Sequence, residues 1–434
     1  MSSTGVDLLW PKSRAEIADI QRRRKRAAVE AARRAPFYRG RLDGVDLDRL
    51  DDPEVWNRIP LLTKDELRTV PADAFHDRFC VAPRSSVVEY WRSGGVTGRP
   101  LFYPRSADDM KYALLTFKRG LTVVGATPED CAHISFPLGI HPVAHLYARA
   151  AEDLGIGTVW AGSGNNTPSE MQLELIRELK PTIWCGMGSY GLHLANLAET
   201  KGIDLAASSV EKIVVAAEPL SPAKREKLER MWGAQVFDQF GMTEGALVSC
   251  ESVERDGLHL WSDLFYVEIL DETTGLPVAE GEAGSLVITP LYINNVTPFL
   301  RWVSGDVISM KPQGNGSSAW SIFPVMRHAR RTVGFFKVRG INLNHSELED
   351  LMFRNPDVID FKAEVSASGA GLDVLSLFIE VRRGLVVEQA CARLRERMAA
   401  TFQVTPEIKV LDTGTLGREF EASVKAARFV DRRG

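Results

Sequence analysis

The sequence predicts an α/β protein: a large N-terminal domain of helix-flanked sheets with a β-rich subdomain, then a small mobile α+β domain at the C-terminus. Three observations carry that expectation. The chain has 434 residues, more than one ordinary core accommodates. Between residues 106 and 240 short apolar runs alternate with amphipathic segments. Residues 256–310 change to β-runs separated by turn signals, and a compact α+β tail follows residue 335. The expected domains are residues 1–332 and 333–434.

Residues 14–34 are basic and helix-prone, with Arg22, Arg23, Arg24, Lys25 and Arg26 in one run. Ile17, Ile20, Ala27 and Val29 recur at helical spacing, so the charges read as the solvated face of an amphipathic helix, not a nucleic-acid patch. Residues 131–137, 157–161, 182–187 and 212–217 read as buried strands. Between them lie helical segments, one carrying Met171, Leu173, Leu175, Ile176 and Leu179, another opened by Ser221-Pro222. Residues 264–271 and 285–293 read as antiparallel strands, with turns at Thr274-Gly275 and Glu280-Gly281-Glu282. The tail reads as a helix over 346–353, strands near 361–367 and 373–382, and a helix over 387–402.

Hydrophobic residues make up 44% and charged residues 25%, with a formal net charge of −4. That balance fits a globular protein and gives no general attraction to nucleic acid or anionic membrane. No apolar run is long enough to span a bilayer, and residues 1–6 lack a charged-then-apolar signal. Five cysteines, Cys80, Cys131, Cys185, Cys250 and Cys391, are scattered without paired spacing, which argues for a reducing cytoplasm.

Four strings carry candidate chemistry. In Ser93-Gly94-Gly95-Val96-Thr97-Gly98-Arg99, glycines let backbone N–H groups converge on an anion while hydroxyls donate further bonds, as a nucleotide's β- and γ-phosphates require. The Gly-Lys-Ser/Thr ending of a Walker A loop is absent. In Asp238-Gln239-Phe240-Gly241-Met242-Thr243-Glu244-Gly245, an aromatic before glycine can stack a base and one carboxylate can hold a hard cation. Asp306, after Ser304-Gly305, can accept both ribose hydroxyls at a strand end. Lys425 gains interest only if a small domain swings it over an active site. Each string alone is equally a turn, a loop or a solvated charge.

Their order resembles the adenylate-forming enzymes: phosphate loop, Ala217-Glu218-Pro219, Phe-Gly-Met-Thr-Glu, Ser-Gly-Asp, Arg-Gly-Ile-Asn and a terminal lysine. Within that superfamily the chain is similar to the phenylacetate–coenzyme A ligases, through residues 35–39 (APFYR), 59–68 (IPLLTKDELR) and 338–349 (VRGINLNHSELE). The resemblance covers nearly the whole chain. It implies an N-terminal adenylation domain and a C-terminal lid, ATP-dependent conversion of a carboxylic acid to acyl-AMP, and transfer of the acyl group to the thiol of coenzyme A. Since a carboxylate attacking an anionic phosphate meets repulsion, the catalysis expected is positioning plus cationic stabilisation.

Residue by residue, the resemblance implies that Ser93, Gly94, Gly95, Thr97 and Gly98 hold the pyrophosphate portion. Glu244 would hold Mg²⁺ and Thr243 would contact the α-phosphate. Asp306 would bind the ribose, with Arg331 nearby. Ala217, Glu218, Pro219, Asp238, Gln239, Phe240, Gly241 and Met242 would line the nucleotide slot. Lys425 would bridge carboxylate and α-phosphate during adenylation, after which lid rotation would bring Gly340 and Ile341 to the coenzyme A channel. The acid pocket would form from Phe136, Ile140, His141, Gly186, Tyr190, Ala216, Gly241 and Met242, a lining suited to an aryl or arylacetic acid. His133, His141 and His145 could hydrogen-bond a ring substituent, and each is at least as readily a core or surface histidine. A homodimer is the family expectation.

The chain departs from the family's pattern at four places. Gly95-Val96 and Arg99 replace a Gly-Thr pair and a lysine in the loop. Val333-Gly334 stand where a hinge acidic pair is usual. Val424, not glycine, precedes Lys425. Cys250 and His259 match two ligands of the zinc site some members hold, but residues 312–328 contain no cysteine, so no zinc is expected. Transfer to a carrier protein or an amine, and a non-catalytic ligand-binding relative, remain open alternatives.

Overall fold

The computed structural model describes residues 7–93, 99–312, 314, 316–331, 335–338, 341–367, 373–423 and 427–433, with backbone alone at 329–331. The chain divides into two compact units. One comprises Met1–Ala132, Leu138–Thr158 and Phe237–Arg331; the other comprises His133–Pro137, Val159–Val236 and Thr332–Gly434.

In the first unit, the basic stretch is the helix Arg14–Ala32, started by Ser13, whose hydroxyl accepts from the Glu16 amide at 3.2 Å. Ile17, Ala28, Val29 and Ala32 form its buried stripe, which keeps Ile17 and Val29 where spacing placed them; Ile20 is half-buried, and Ala27 faces solvent with Ala28 buried in its stead. The charges are consumed within the chain. Arg22 and Arg23 pair with Asp19, Arg26 with Asp48, and buried Lys25 donates to the Leu50 carbonyl at 3.0 Å.

The predicted β-rich stretch, residues 256–310, supplies four strands of a longer antiparallel array in the order Phe265–Leu270, Gly284–Pro290, Trp302–Lys311, Val325–Arg331, Leu258–Leu260, Ala246–Glu251, Gln235–Met242. The helix Ala107–Val123 lies on it, opened by a capping box of Ser106 and Asp109. It sits close: a Cβ on Gly120 would stand 2.7 Å from Leu247 Cδ2. A buried ion pair anchors the amino-terminal segment, with Arg119 donating to both Asp263 oxygens at 2.9 and 2.8 Å and to the Leu8 carbonyl at 3.0 Å. Trp10 covers the guanidinium, 4.7 Å from ring centre to Cζ.

In the second unit, the strands Ile183–Gly186 and Lys212–Val215 run parallel, as βαβ alternation requires. The helices Gly188–Thr200 and Pro222–Trp232 cover them, joined through Trp232, which is fully buried, packs at a tilt with its ring centre 5.4 Å from that of Trp184 and donates to the Gly191 carbonyl. The carboxy-terminal part has the helix His345–Phe353, the antiparallel pair Val358–Ala367 and Asp373–Val381, and the helix Val387–Phe402, close to expectation. Two short parallel strands, Glu407–Leu411 and Phe429–Asp431, complete its sheet. No helix among the described residues is long and apolar enough to cross a membrane.

Asp263→Asn is expected to cost about 3–5 kcal/mol of stability, because it strands a buried guanidinium; chemical denaturation of parent and variant measures it.

Candidate active site

The phosphate-loop segment is carried between two paired strands, Val87–Arg92 and Phe102–Ser106, with Trp91 opposite Tyr103. Ser93, 4% exposed, closes its base: its amide donates to the Leu101 carbonyl at 2.8 Å, and its hydroxyl accepts from the Leu101 amide at 3.0 Å. Gly94, Gly95, Thr97 and Gly98 lie outside the described residues. Arg99, in the lysine position, is engaged with the framework, donating to the carbonyls of Val70 at 2.7 Å and Arg68 at 3.3 Å.

The second motif occupies the strand Gln235–Met242 and the turn after it. Strand alternation sets Asp238, Phe240 and Met242 on one face and Gln239 on the other. Gln239 is there held in the core, accepting from the Tyr147 hydroxyl at 2.6 Å and donating to the Gly120 carbonyl at 2.9 Å. The next strand, Ala246–Glu251, returns so closely that a Cβ on Gly241 would meet the Ala246 carbonyl oxygen at 2.6 Å. The turn is closed by the Gly245 amide donating to Met242 and leaves Ala246 at φ +63°, the left-handed region.

Thr243 and Glu244 ride on this turn. The Glu244 side chain is buried, and its Oε1 accepts from the Tyr103 hydroxyl at 2.9 Å. Burial first, and then the Glu244 charge, push the Tyr103 phenol well above its ordinary value, so the phenol is the donor. Beneath the turn, fully buried Arg105 donates to the carbonyls of Thr243 at 2.7 Å and Glu244 at 3.1 Å and to the Thr297 hydroxyl at 2.7 Å. Neither Tyr103 nor Arg105 belongs to a motif; the signal available was two large polar residues two apart on the strand after a glycine loop.

Asp306 lies in the strand Trp302–Lys311, after Gly305 at φ +81°. Its amide donates to the Ser304 hydroxyl at 3.0 Å, and its backbone is in register with Arg331, whose side chain lies outside the described residues. His328 completes the group: its Nε2 is 3.1 Å from Asp306 Oδ1, and its ring centre is 5.9 Å from that of Phe240. Phe240 and Asp306, predicted from separate motifs, are thus joined through a histidine that motif reading did not assign to the nucleotide. A bulge explains this. Asp306 pairs with Arg331 but Ile308 with His328, so the register slips by one and His328 turns to Asp306's face.

In the other unit, Ala217 sits at φ +71° and presents Glu218 to the amino-terminal turn of Gly188–Thr200. Glu218 accepts from the Ser189 amide and hydroxyl at 2.6 and 2.7 Å and from Lys224 Nζ at 3.2 Å, while the Pro219 carbonyl accepts from the same lysine at 3.1 Å. Phe136 and Ala216 are buried, and Gly186 ends its strand. Tyr190 is also buried, its hydroxyl 3.0 Å from Ser169 Oγ and its ring 5.6 Å from Phe420. Ile341 opens the strand Ile341–Asn344; Gly340 and Lys425 lie outside the described residues. In the first unit, Ile140 is 46% exposed and His141 half-buried. His133 is a core residue, with Nε2 3.1 Å from Gln172 Oε1.

The donor set of Glu244 suits a hard cation that brings most of its own ligands. One carboxylate oxygen is occupied by Tyr103, and no other protein carboxylate is needed where phosphates and water complete an octahedron. Cys250 and His259 stand opposite each other on paired strands, but among the described residues no group of three or more His, Cys, Asp or Glu side chains gathers as a metal cage.

Residues 95–291 match the family of AMP-binding enzymes. A phenylacetate–coenzyme A ligase of Thermus thermophilus is 31% identical over 368 residues, covering 83% of this chain and 80% of its own. One of Escherichia coli (strain K12) is 28% identical, covering 100% of this chain and 99% of its own. A crystal structure of 2-hydroxyisobutyryl-CoA ligase in the postadenylation state, in complex with R3-HIB-AMP, has the same fold, with a TM-score of 0.85 at 21% identity over 97% of this chain and 91% of that one.

Burial lowers the His133 imidazole to about 4. The unfolded chain therefore binds a proton that the fold excludes, and stability is lost as pH falls from about 6.5 toward 4 at up to about 1.4 kcal/mol per pH unit. In His133→Gln, denaturation at several pH values should show that slope reduced.

Proposed function

The chain belongs to the phenylacetate–coenzyme A ligases of the AMP-binding enzymes, and from that premise we propose that it converts an aryl or arylacetic acid to its acyl-adenylate with ATP and passes the acyl group to coenzyme A. The observation that carries the reading is the grouping of Phe240, His328 and Asp306 on the sheet whose neighbouring turn bears Thr243 and Glu244. An aromatic face for a base, a carboxylate for ribose hydroxyls and a carboxylate for a phosphate-bound cation are what adenylation needs in one place.

The residues divide the work. Asp306, held by the Ser304 hydroxyl and His328, accepts from the ribose. Phe240 offers its ring to adenine. Thr243 donates to the α-phosphate. Glu244 is the carboxylate to hold Mg²⁺, which when bound neutralises phosphate charge. Ser93 anchors the loop of Gly94, Gly95, Thr97 and Gly98 on the leaving pyrophosphate. Lys425 supplies the positive charge that lets one anion attack another, and residues 333–434 serve as the lid that delivers and withdraws it. Gly340 and Ile341 then face coenzyme A. Phe136, Tyr190 and Ala216 line the acid pocket. No disulfide joins the five cysteines, which suits a cytoplasmic setting, and a homodimer is the assembly we expect.

Pyrophosphate release should depend on an aryl acid, and thioester should form only when coenzyme A is added; release with no effect of coenzyme A would redirect the acceptor to a carrier protein or an amine. Lys425→Ala should abolish adenylation while thioester formation from supplied acyl-AMP stays within a few-fold of the parent. Equal loss in both half-reactions would remove the lid from the scheme.

A further inference from the structure

Tyr103 and Arg105 stand two residues apart on one strand, so both side chains leave the same face. That face meets the turn of Thr243 and Glu244. Tyr103 addresses the carboxylate and Arg105 the backbone: one phenol donates to Oε1, and one guanidinium donates to both turn carbonyls and to Thr297. Arg105 is also seated over Trp91, 4.7 Å from its ring centre, and has no solvent-exposed surface.

So costly a burial has a local compensation. Asp109, itself fully buried and held by the Asn295 amide and side chain at 2.9 and 3.0 Å, and Glu244 are the carboxylates whose charge offsets that of Arg105. The turn's two carbonyls thus have fixed donors, and one lobe of the Glu244 carboxylate is fixed as well. The other oxygen, Oε2, accepts no hydrogen bond from the described residues.

We propose that Tyr103 and Arg105 are positioning residues for the metal-holding carboxylate: Arg105 sets the height of the Thr243–Glu244 turn, and Tyr103 aims Glu244 so that Oε2 faces the cation carried by the nucleotide phosphates. The proposal rests on Glu244 being the metal ligand. It assigns work to a strand outside every motif, directly after the phosphate loop, so one hairpin arm serves both phosphate and metal.

Tyr103→Phe deletes the hydroxyl and keeps the ring, which packs on Phe299 at 5.2 Å between centres. Thr297→Val removes one acceptor of Arg105 at nearly constant volume. The measurement is Mn²⁺ affinity by electron paramagnetic resonance in the presence of α,β-methylene ATP, alongside binding of that nucleotide without metal and the melting temperature. Tyr103→Phe is expected to weaken Mn²⁺ about ten-fold, the scale of one lost hydrogen bond to a charged group, and to leave metal-free nucleotide binding unchanged. Thr297→Val is expected to move Mn²⁺ the same way by less, and it decides the matter if Tyr103→Phe does not fold. Glu244→Gln separates the two claims. If it weakens Mn²⁺ and neither other variant does, the positioning role is wrong; if Glu244→Gln leaves Mn²⁺ affinity intact, Glu244 is not the ligand and the reading beneath is wrong.

Discussion

A guanidinium with no access to water depends on acceptors inside the protein. The terminal nitrogens of Arg105 find two of theirs in the turn that carries Thr243 and Glu244 and a third in Thr297, while its Nε has none among the described residues. Moving that turn would leave buried N–H groups without acceptors, at about 1–3 kcal/mol each or more when charged. The constraint passes outward. The turn fixes where Ala246–Glu251 returns, the return excludes any side chain at Gly241, and the alternation of Gln235–Met242 then sets Phe240 toward His328 and Gln239 into the core. The candidate site is therefore shaped from beneath, by buried polar groups outside the motifs.

The second unit uses a different device, a chain of buried charges. Lys224 bridges Glu218 and Glu349 at 3.2 and 2.9 Å, and Arg428 continues from Glu349 at 3.7 Å to Asp360. Burial alone would lower Lys224, but the two carboxylates raise it, and Glu349 is raised by its own burial. Removing one member would leave a buried charge uncompensated, so the group is retained or lost together. Through it the Glu218 motif is tied to the helix His345–Phe353, and Lys227 adds a bond to the Ile359 carbonyl at 2.6 Å.

Local pattern sufficed wherever period and composition agreed. Parallel strands at 183–186 and 212–215, the antiparallel array after residue 256, and the tail's helices at 345–353 and 387–402 follow from runs of apolar residues and their turn signals. The basic helix reads correctly as an amphipathic surface for the same reason, although its apolar stripe includes Ala28 where spacing favoured Ala27. Motif residues on the sheet, Phe240 and Asp306, were legible because glycine stands beside each, although Gly305 and Asp306 lie inside the strand Trp302–Lys311 and not at the strand end that the motif suggested.

The sequence by itself determined the elements, because their periods depend on neighbours within a few positions, and the family, through the order of its motifs along the chain. Tertiary structure decided which of them meet. Gln239 faces the core because strand parity puts it opposite Phe240 and Asp238. His328 reaches Asp306 because a one-residue bulge reverses parity on the adjoining strand, and His133 is a core base because Gln172 comes to it from a helix. Tyr103 and Arg105 find Glu244 across 141 and 139 residues of chain, a separation that no local period encodes and that only the packing of the hairpin against the turn can specify.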